Sequence, residues 1–417
     1  MKAVKINYSL LTFMVVLATL TGCNSTGKKS NKMKSNSVDY TKGTYGYDVA
    51  FLKNYITPIE LTNGNEKVLL SAEYQGRVIT SSAAGNNGAS YGWVNYGLIS
   101  SGKKSRQFNA YGGEERLWLG PEGGPFSIFF KPGADQVFAN WKVPKEVDTE
   151  PFKLVDKTTG EVSFSKQFSL TNALGTSMNI SISRDIKILT KSDIENALQV
   201  GLDTTLRFVA FQSENTLTNE GPNEWNEKNG VLSLWLLCQF NPSEQGVVFI
   251  PFRKGSEAEA GKIVTDDYFG KVPPDRLIVK DGMLFFKTDG KYRSKIGIPP
   301  PRALPYCGSY DATNHVLTIL WYSKPDTLAK YVNSVWNNKD PLNGDVVNAY
   351  NDGRADDGTI LGPFYEMESS SPAAILKSGQ KITHTNRIFH ISGDETGLSR
   401  ITEKLFGVSI DEIKSVF

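Results

Sequence analysis

Two glutamates and two histidines near the C-terminus carry the residue types and spacing that acid/base chemistry needs. In GPFYEMESSSPAAILKSGQKITHTNRIFHISG, read as a strand, Glu366 and Glu368 share one face with Phe364, and Ser369 to Pro372 turn the chain. A following strand, ITHTNRIFHI, would place His384, Asn386, Ile388 and His390 on one face and Thr383, Thr385 and Arg387 on the other. Carboxyl and imidazole groups can be tuned to either side of neutral pH, so such neighbouring strands could hold a general acid and a general base. Pairing of Glu366 or Glu368 with Arg387 or Lys381 on an exposed strand accounts for the same residues equally well.

A second stretch, GGEERLWLGPEGG, sets charge beside aromatic rings and backbone freedom. Arg116 and Trp118 stand two apart and would face one side of a strand with Glu114, while Glu122 follows a Gly-Pro turn. Sugar sites combine flat rings, which cover the apolar side of a pyranose, with charged or amide groups that bond its hydroxyls. The competing account makes Trp118 core and pairs Arg116 with Glu114 or Glu122. Asn95, Trp93, Trp225, Arg293, Lys295 and Arg302 are further candidates for the same cleft, whereas Trp235 and Trp321 sit in apolar runs that read as core.

Other chemistries find little footing. The chain has three histidines, no HExxH or CxxC spacing, and no phosphate- or dinucleotide-binding fingerprint. YNDGRADDG offers Asp352, Asp356 and Asp357 as oxygen ligands for calcium, but outside EF-hand spacing, so an acidic turn is the first reading and no metal is expected. A net charge of +2 without a basic stripe argues against nucleic acid as a partner. Cys238 and Cys307 suit buried thiols at least as well as a disulfide.

These residues must be positioned by strands. Short apolar runs with turn residues between them dominate: KVLLSAEY, GRVITSSA, FSIFF, EVSFSKQFSL, SMNISISRDIKIL, TLRFVAF, VLSLWLLCQF, GVVFIPF, RLIVK, MLFFKT and HVLTILWY. Asp281-Gly282 marks a hairpin between RLIVK and MLFFKT. Helical periodicity is confined to PDTLAKYVNSVWNN, with Leu328, Tyr331, Val332 and Val335 on one stripe, and to a C-terminal pair of short helices broken at Gly407. The pattern predicts a large, all-β antiparallel sandwich with a few short helices, in one domain over residues 47–417.

The N-terminal segment differs in kind. Lys2 and Lys5 precede an apolar run from Leu10 to Leu20, too short for a confident membrane span and shaped like a secretion signal over residues 1–22. It ends in Leu20-Thr21-Gly22-Cys23, which resembles the lipobox of bacterial lipoproteins and implies acylation of Cys23. Asn24, in place of aspartate, implies the outer membrane. Residues 23–46 are polar, with little to bury, and read as a tether.

The acidic strand, Ser/Pro turn and THTNRIFH strand together resemble the C-terminal end of galactose-mutarotase-like (aldose 1-epimerase-like) proteins. YQGRVITS, GWVNYGLIS, GGEERLWLGPEGG, ENTLTNEG and YEMESSSPAA resemble bacterial lipoproteins assigned to that superfold. The resemblance implies a β-supersandwich with a sugar-sized cleft on its concave face, a C-terminal glutamate as general base, and a histidine acid after a central Thr-Asn segment. Glu368 matches the glutamate best, with Glu366 the alternative. After Thr218-Asn219 the chain has Glu220 and no histidine nearby, which leaves the acid unassigned. The expectation is therefore a membrane-anchored lipoprotein that binds or processes carbohydrate, with an aldose 1-epimerase-like activity or, alternatively, a non-catalytic glycan-binding or structural role.

Overall fold

The computed structural model describes residues 39–354 and 358–417, and Tyr40–Phe417 form one compact unit. The expected signal segment, Cys23, most of the tether, Asp356 and Asp357 lie outside the described residues. No helix among the described residues is long and apolar enough to cross a membrane.

Three antiparallel sheets build the unit. A small sheet holds β1 (Ile59–Asn63), β2 (Glu66–Ser71) and β3 (Arg77–Ser82) in that order. A five-stranded sheet runs β13 (Ser294–Ile298), β16 (Val347–Asn351), β17 (Tyr365–Ser370), β9 (Ser233–Phe240) and β4 (Arg116–Gly120). The largest sheet orders β11 (Leu277–Lys280), β12 (Met283–Lys287), β10 (Gly246–Pro251), β14 (Tyr306–Asp311) and β15 (Val316–Tyr322), followed by β18 (Lys381–Ser392), β8 (Arg207–Asn219), β7 (Ser177–Ile188), β6 (Glu161–Thr171) and β5 (Lys153–Lys157). The Asp281-Gly282 hairpin forms as its sequence predicts, with Lys280 opposite Met283 and positive φ at both turn residues.

Burial follows from strand alternation. Along β7, Met178, Ile180, Ile182, Arg184, Ile186 and Ile188 point inward while the residues between them meet solvent or the sheet margin. The central strands β10 and β15 instead read as near-continuous apolar runs because both of their faces are covered, and β18 is likewise buried on both faces from Ile388 to Ile391. Ile250, Leu320 and Ile388 pack toward the five-stranded sheet; Phe249, Ile319 and Phe389 pack with the helices behind.

Helices are short: α1 (Tyr45–Leu52), α2 (Tyr96–Ser101), the single turn α3 (Lys145–Asp148), α4 (Lys191–Leu198), the single turn α5 (Glu257–Ala260), α6 (Glu395–Phe406) and α7 (Ile410–Lys414). Leu198, Leu398, Ile401 and Ile413 of α4, α6 and α7 close the rear core. Gly407, at φ 70°, caps α6 and separates it from α7, matching the expected break.

Two expected elements do not form. Residues 325–338 contain no helix, and Leu328 of the supposed apolar stripe is 93% exposed. The asparagines there bond the local backbone: Asn338 Nδ2 donates to the carbonyls of Asn333 and Val335, and Asn333 Oδ1 accepts from the Val335 amide. Such bonds compete with a helical ladder. FSIFF is buried but turned, since Ser127 donates to the Glu122 carbonyl and accepts from the Phe129 amide.

Candidate functional site

The register of the five-stranded sheet gathers polar side chains on one face. Arg116 pairs with Leu237, which pairs with Glu368, which pairs with Asn348; Trp118 pairs with Trp235; Gln239, Glu366, Tyr350 and Lys295 form the adjoining row. Residues opposite one another in antiparallel strands share a face, so Arg116, Trp118, Trp235, Gln239, Glu366, Glu368, Asn348, Tyr350 and Lys295 all project the same way. The alternate residues, such as Leu236, Cys238, Met367 and Ala349, project into the core against the large sheet.

Entry into β4 depends on glycine. Gly112 and Gly113 have φ of 93° and 121°, and a Cβ on either would fall 2.0 Å from the Trp93 carbonyl oxygen or 2.6 Å from Arg77 Cδ. The chain thus passes between Trp93 and Arg77 and delivers Arg116 to the polar face. Arg77 Nη1 donates to the Gly112 carbonyl at 2.6 Å, and burial together with nearby Arg116 pulls its guanidinium down to about 9.

The two glutamates of β17 differ in partnership. Lys295 Nζ donates to both oxygens of Glu368, at 3.0 and 2.8 Å, and Trp235 Nε1 donates to Oε2 at 2.8 Å. Glu366 receives Arg116 Nη2 at 2.9 Å on Oε1. Burial pushes the Glu366 carboxyl up to about 7, against the pull of Arg116 and with a further push from Glu368. One carboxyl is thus poised near neutrality beside a second that is clamped by a cation.

Aromatic rings pack against these charges, Trp118 and Trp235 being buried members of the core. The Arg116 guanidinium lies 4.2 Å from the Trp118 ring centroid and 4.9 Å from that of Phe108, and Lys295 Nζ lies 5.0 Å from Trp235 and 5.5 Å from Tyr268. Tyr268 donates to Asp345 at 2.5 Å and accepts from Asn348 Nδ2 at 3.2 Å. Glu122 accepts from Trp336 Nε1 at 3.0 Å, and burial raises its carboxyl. Arg116 Nε and Nη1, Trp118 Nε1 and both amide atoms of Gln239 are buried and find no protein partner. Buried polar groups are almost always hydrogen-bonded, so these five atoms are unmet donors and acceptors of this face.

The other expected site residues go elsewhere. Strands β17 and β18 belong to different sheets, because the chain after Ser371 crosses from one layer to the other. His384 and His390 therefore do not share a face with Glu366 and Glu368. His384 Nε2 sits 2.8 Å from Ser369 Oγ in the core, where burial holds its imidazole down at about 3, and so neutral. His390 bonds Glu114 and Thr318 and stacks on Tyr91. Glu114, expected beside Arg116, turns away to Ser81 and His390, since it precedes β4 and pairs with β3 instead.

Asn95 caps α2 by accepting from the Leu98 amide. Trp93 packs on Phe364, Trp225 is core, and Arg302 is spent on the carbonyls of Arg253, Gly255, Ser256 and Gly261. Asp352 accepts from Tyr350 and the Gly362 amide. Among the described residues no cluster of three or more His, Cys, Asp or Glu has metal-binding geometry. Cys238 and Cys307 are buried free thiols.

Lys295 was a minor candidate by sequence, and Trp235 read as core. Gln239, Asn348, Tyr350, Tyr268 and Asp345 carried no motif at all. The signal for Gln239 was its place as the polar member of VLSLWLLCQF, two steps beyond Leu237 on the face of Trp235.

Residues 43–417 match the model of the Family of unknown function (DUF6786), and the chain belongs to that family. No curated protein matches it. Among solved structures it is similar to a galactose mutarotase-like protein from Lactobacillus casei ATCC 334, at 10% identity and a TM-score of 0.44, over 80% of this chain and 100% of that one. It is also similar to the galactose mutarotase related enzyme from Lactobacillus acidophilus, at 8% identity and a TM-score of 0.45, over 82% and 98%. At such values function must be argued from the side chains themselves.

Proposed function

We propose that this protein binds and processes carbohydrate on the polar face of the five-stranded sheet, interconverting the anomers of an aldose with Glu368 as the general base. The observation that carries this reading is the convergence of Arg116, Glu366, Glu368, Lys295 and the Trp118 and Trp235 rings on one face, with five buried polar atoms lacking protein partners. Rings and hydrogen-bonding charges in this combination suit a pyranose. The sequence resemblance to aldose 1-epimerase-like proteins supports the same reading. The test is polarimetry: purified protein should speed the equilibration of α-glucose, α-galactose or another aldose in a panel, and no acceleration over buffer with any of them would sink the enzymatic reading.

Non-catalytic sugar binding is the second reading. It is favoured by the placement of His384 and His390 in the core, away from the glutamates.

The lipobox-like Leu20-Thr21-Gly22-Cys23 supports anchoring in the outer membrane through acylated Cys23. Cys23→Ser should move the protein from the membrane to the soluble fraction on cell fractionation. Continued membrane association of that variant would contradict the anchor.

A further inference from the structure

We infer that Glu366, on the same face of β17 and two positions away, is the proton-donating catalytic partner of Glu368. This rests on the reading of the face as an anomer-exchanging site. Both carboxyls leave β17 on the same face, two positions apart, which separates their Cα atoms by about 6.6 Å at 3.3 Å per residue. That spacing suits two groups serving oxygens bonded to a single carbon.

Their partners divide the work. Both oxygens of Glu368 accept hydrogen bonds, from Lys295 or Trp235. Glu366 receives a single bond, from Arg116 to Oε1, and its Oε2 accepts none among the described residues. Lys295 of β13, Glu368 of β17, Arg116 of β4 and Asp352 beyond β16 are the charged groups acting on Glu366, with Tyr350 of β16 the titratable neighbour in its row. Burial and the two acidic neighbours oppose ionisation, while Arg116 and Lys295 favour it, and the balance pushes the carboxyl up to about 7, so the acid form is the major one below that pH. No imidazole competes for the role, since the neighbouring histidines face the core.

The step balances without a co-reactant. Glu368 takes the proton of the anomeric hydroxyl as C1–O1 becomes a carbonyl. The bond from C1 to the ring oxygen breaks, and its electron pair takes the proton from Glu366. Rotation about C1–C2 and the reverse steps return both protons, giving the other anomer.

The test is the pH dependence of polarimetric acceleration in the wild type, Glu366→Gln and Glu366→Asp, with folding checked by circular dichroism. Wild-type acceleration should fall as pH rises through about 7, because the acid form is lost. Glu366→Gln should reduce the rate at pH 6 by about 10²-fold and lose that falling limb, while sugar affinity stays within a few-fold. Glu366→Asp should retain the limb. Glu366→Gln with a wild-type rate, or with the same falling limb, would overturn the acid role and leave the sugar site standing. If Glu366→Gln does not fold, a wild-type rate that is flat or rising between pH 6 and 8 overturns it. Absence of any wild-type acceleration would remove both this assignment and the enzymatic reading.

Discussion

Glu368→Gln is expected to lower the acceleration of anomer exchange by about 10²–10⁴-fold, the range associated with loss of a positioned general base. The amide preserves the shape of the side chain and can still accept the Trp235 N–H, but it cannot take up a proton. Lys295 would lose its carboxylate partner while keeping its position between the Trp235 and Tyr268 rings. Sugar affinity should therefore change far less than turnover, a signature of an interaction that matters in the transition state. Equal rates for the variant and wild type would remove Glu368 from the chemistry.

The largest expected loss of stability lies elsewhere, at Glu115. Its carboxylate meets Arg184 Nη2 at 2.6 Å and the Ser213 hydroxyl at 2.9 Å, and both members of the ion pair are wholly buried. Burial pulls the Arg184 guanidinium below its ordinary value, and Glu115 offsets part of that. Glu115→Ala strands a cation in the core and should cost about 3–5 kcal/mol, read as a lower midpoint in denaturant unfolding. Replacing both members with methionine should recover much of the loss, because no buried charge is then left alone. A loss below about 1 kcal/mol in Glu115→Ala would show that water or a rearrangement serves Arg184 instead.

Strand positions were legible where a single physical rule decided them. The alternation of SMNISISRDIKI placed β7, the Asp-Gly turn placed the β11–β12 hairpin, and Gly407 placed the gap between the last two helices. The helix expected after Pro325 failed because periodicity does not register side chains that compete for the backbone, as Asn333 and Asn338 do.

The site was legible within strands and not between sheets. The spacing of Arg116 with Trp118, and of Glu366 with Glu368, correctly put each pair on one face, since alternation is local. The assumption that THTNRIFH lies beside YEMESS failed because the connecting segment changes layers, a long-range choice made by core packing. That choice turns His384 toward Ser369 and leaves Lys295, remote in sequence, as the closest cation to Glu368. Trp235 is core as its apolar run predicts, but the run does not show that its indole N–H also donates to Glu368.

The most direct test of a sugar site on this face is a titration of tryptophan fluorescence with the aldose that responds in polarimetry, in the wild type and in Arg116→Met. Trp118 and Trp235 lie against Arg116 and Lys295, so the wild type should show a saturable change. Arg116→Met, folded by circular dichroism, should weaken binding by about tenfold or more, as expected when a charged hydrogen bond is lost. Saturable binding of equal strength in both proteins would place the sugar elsewhere and contradict the account.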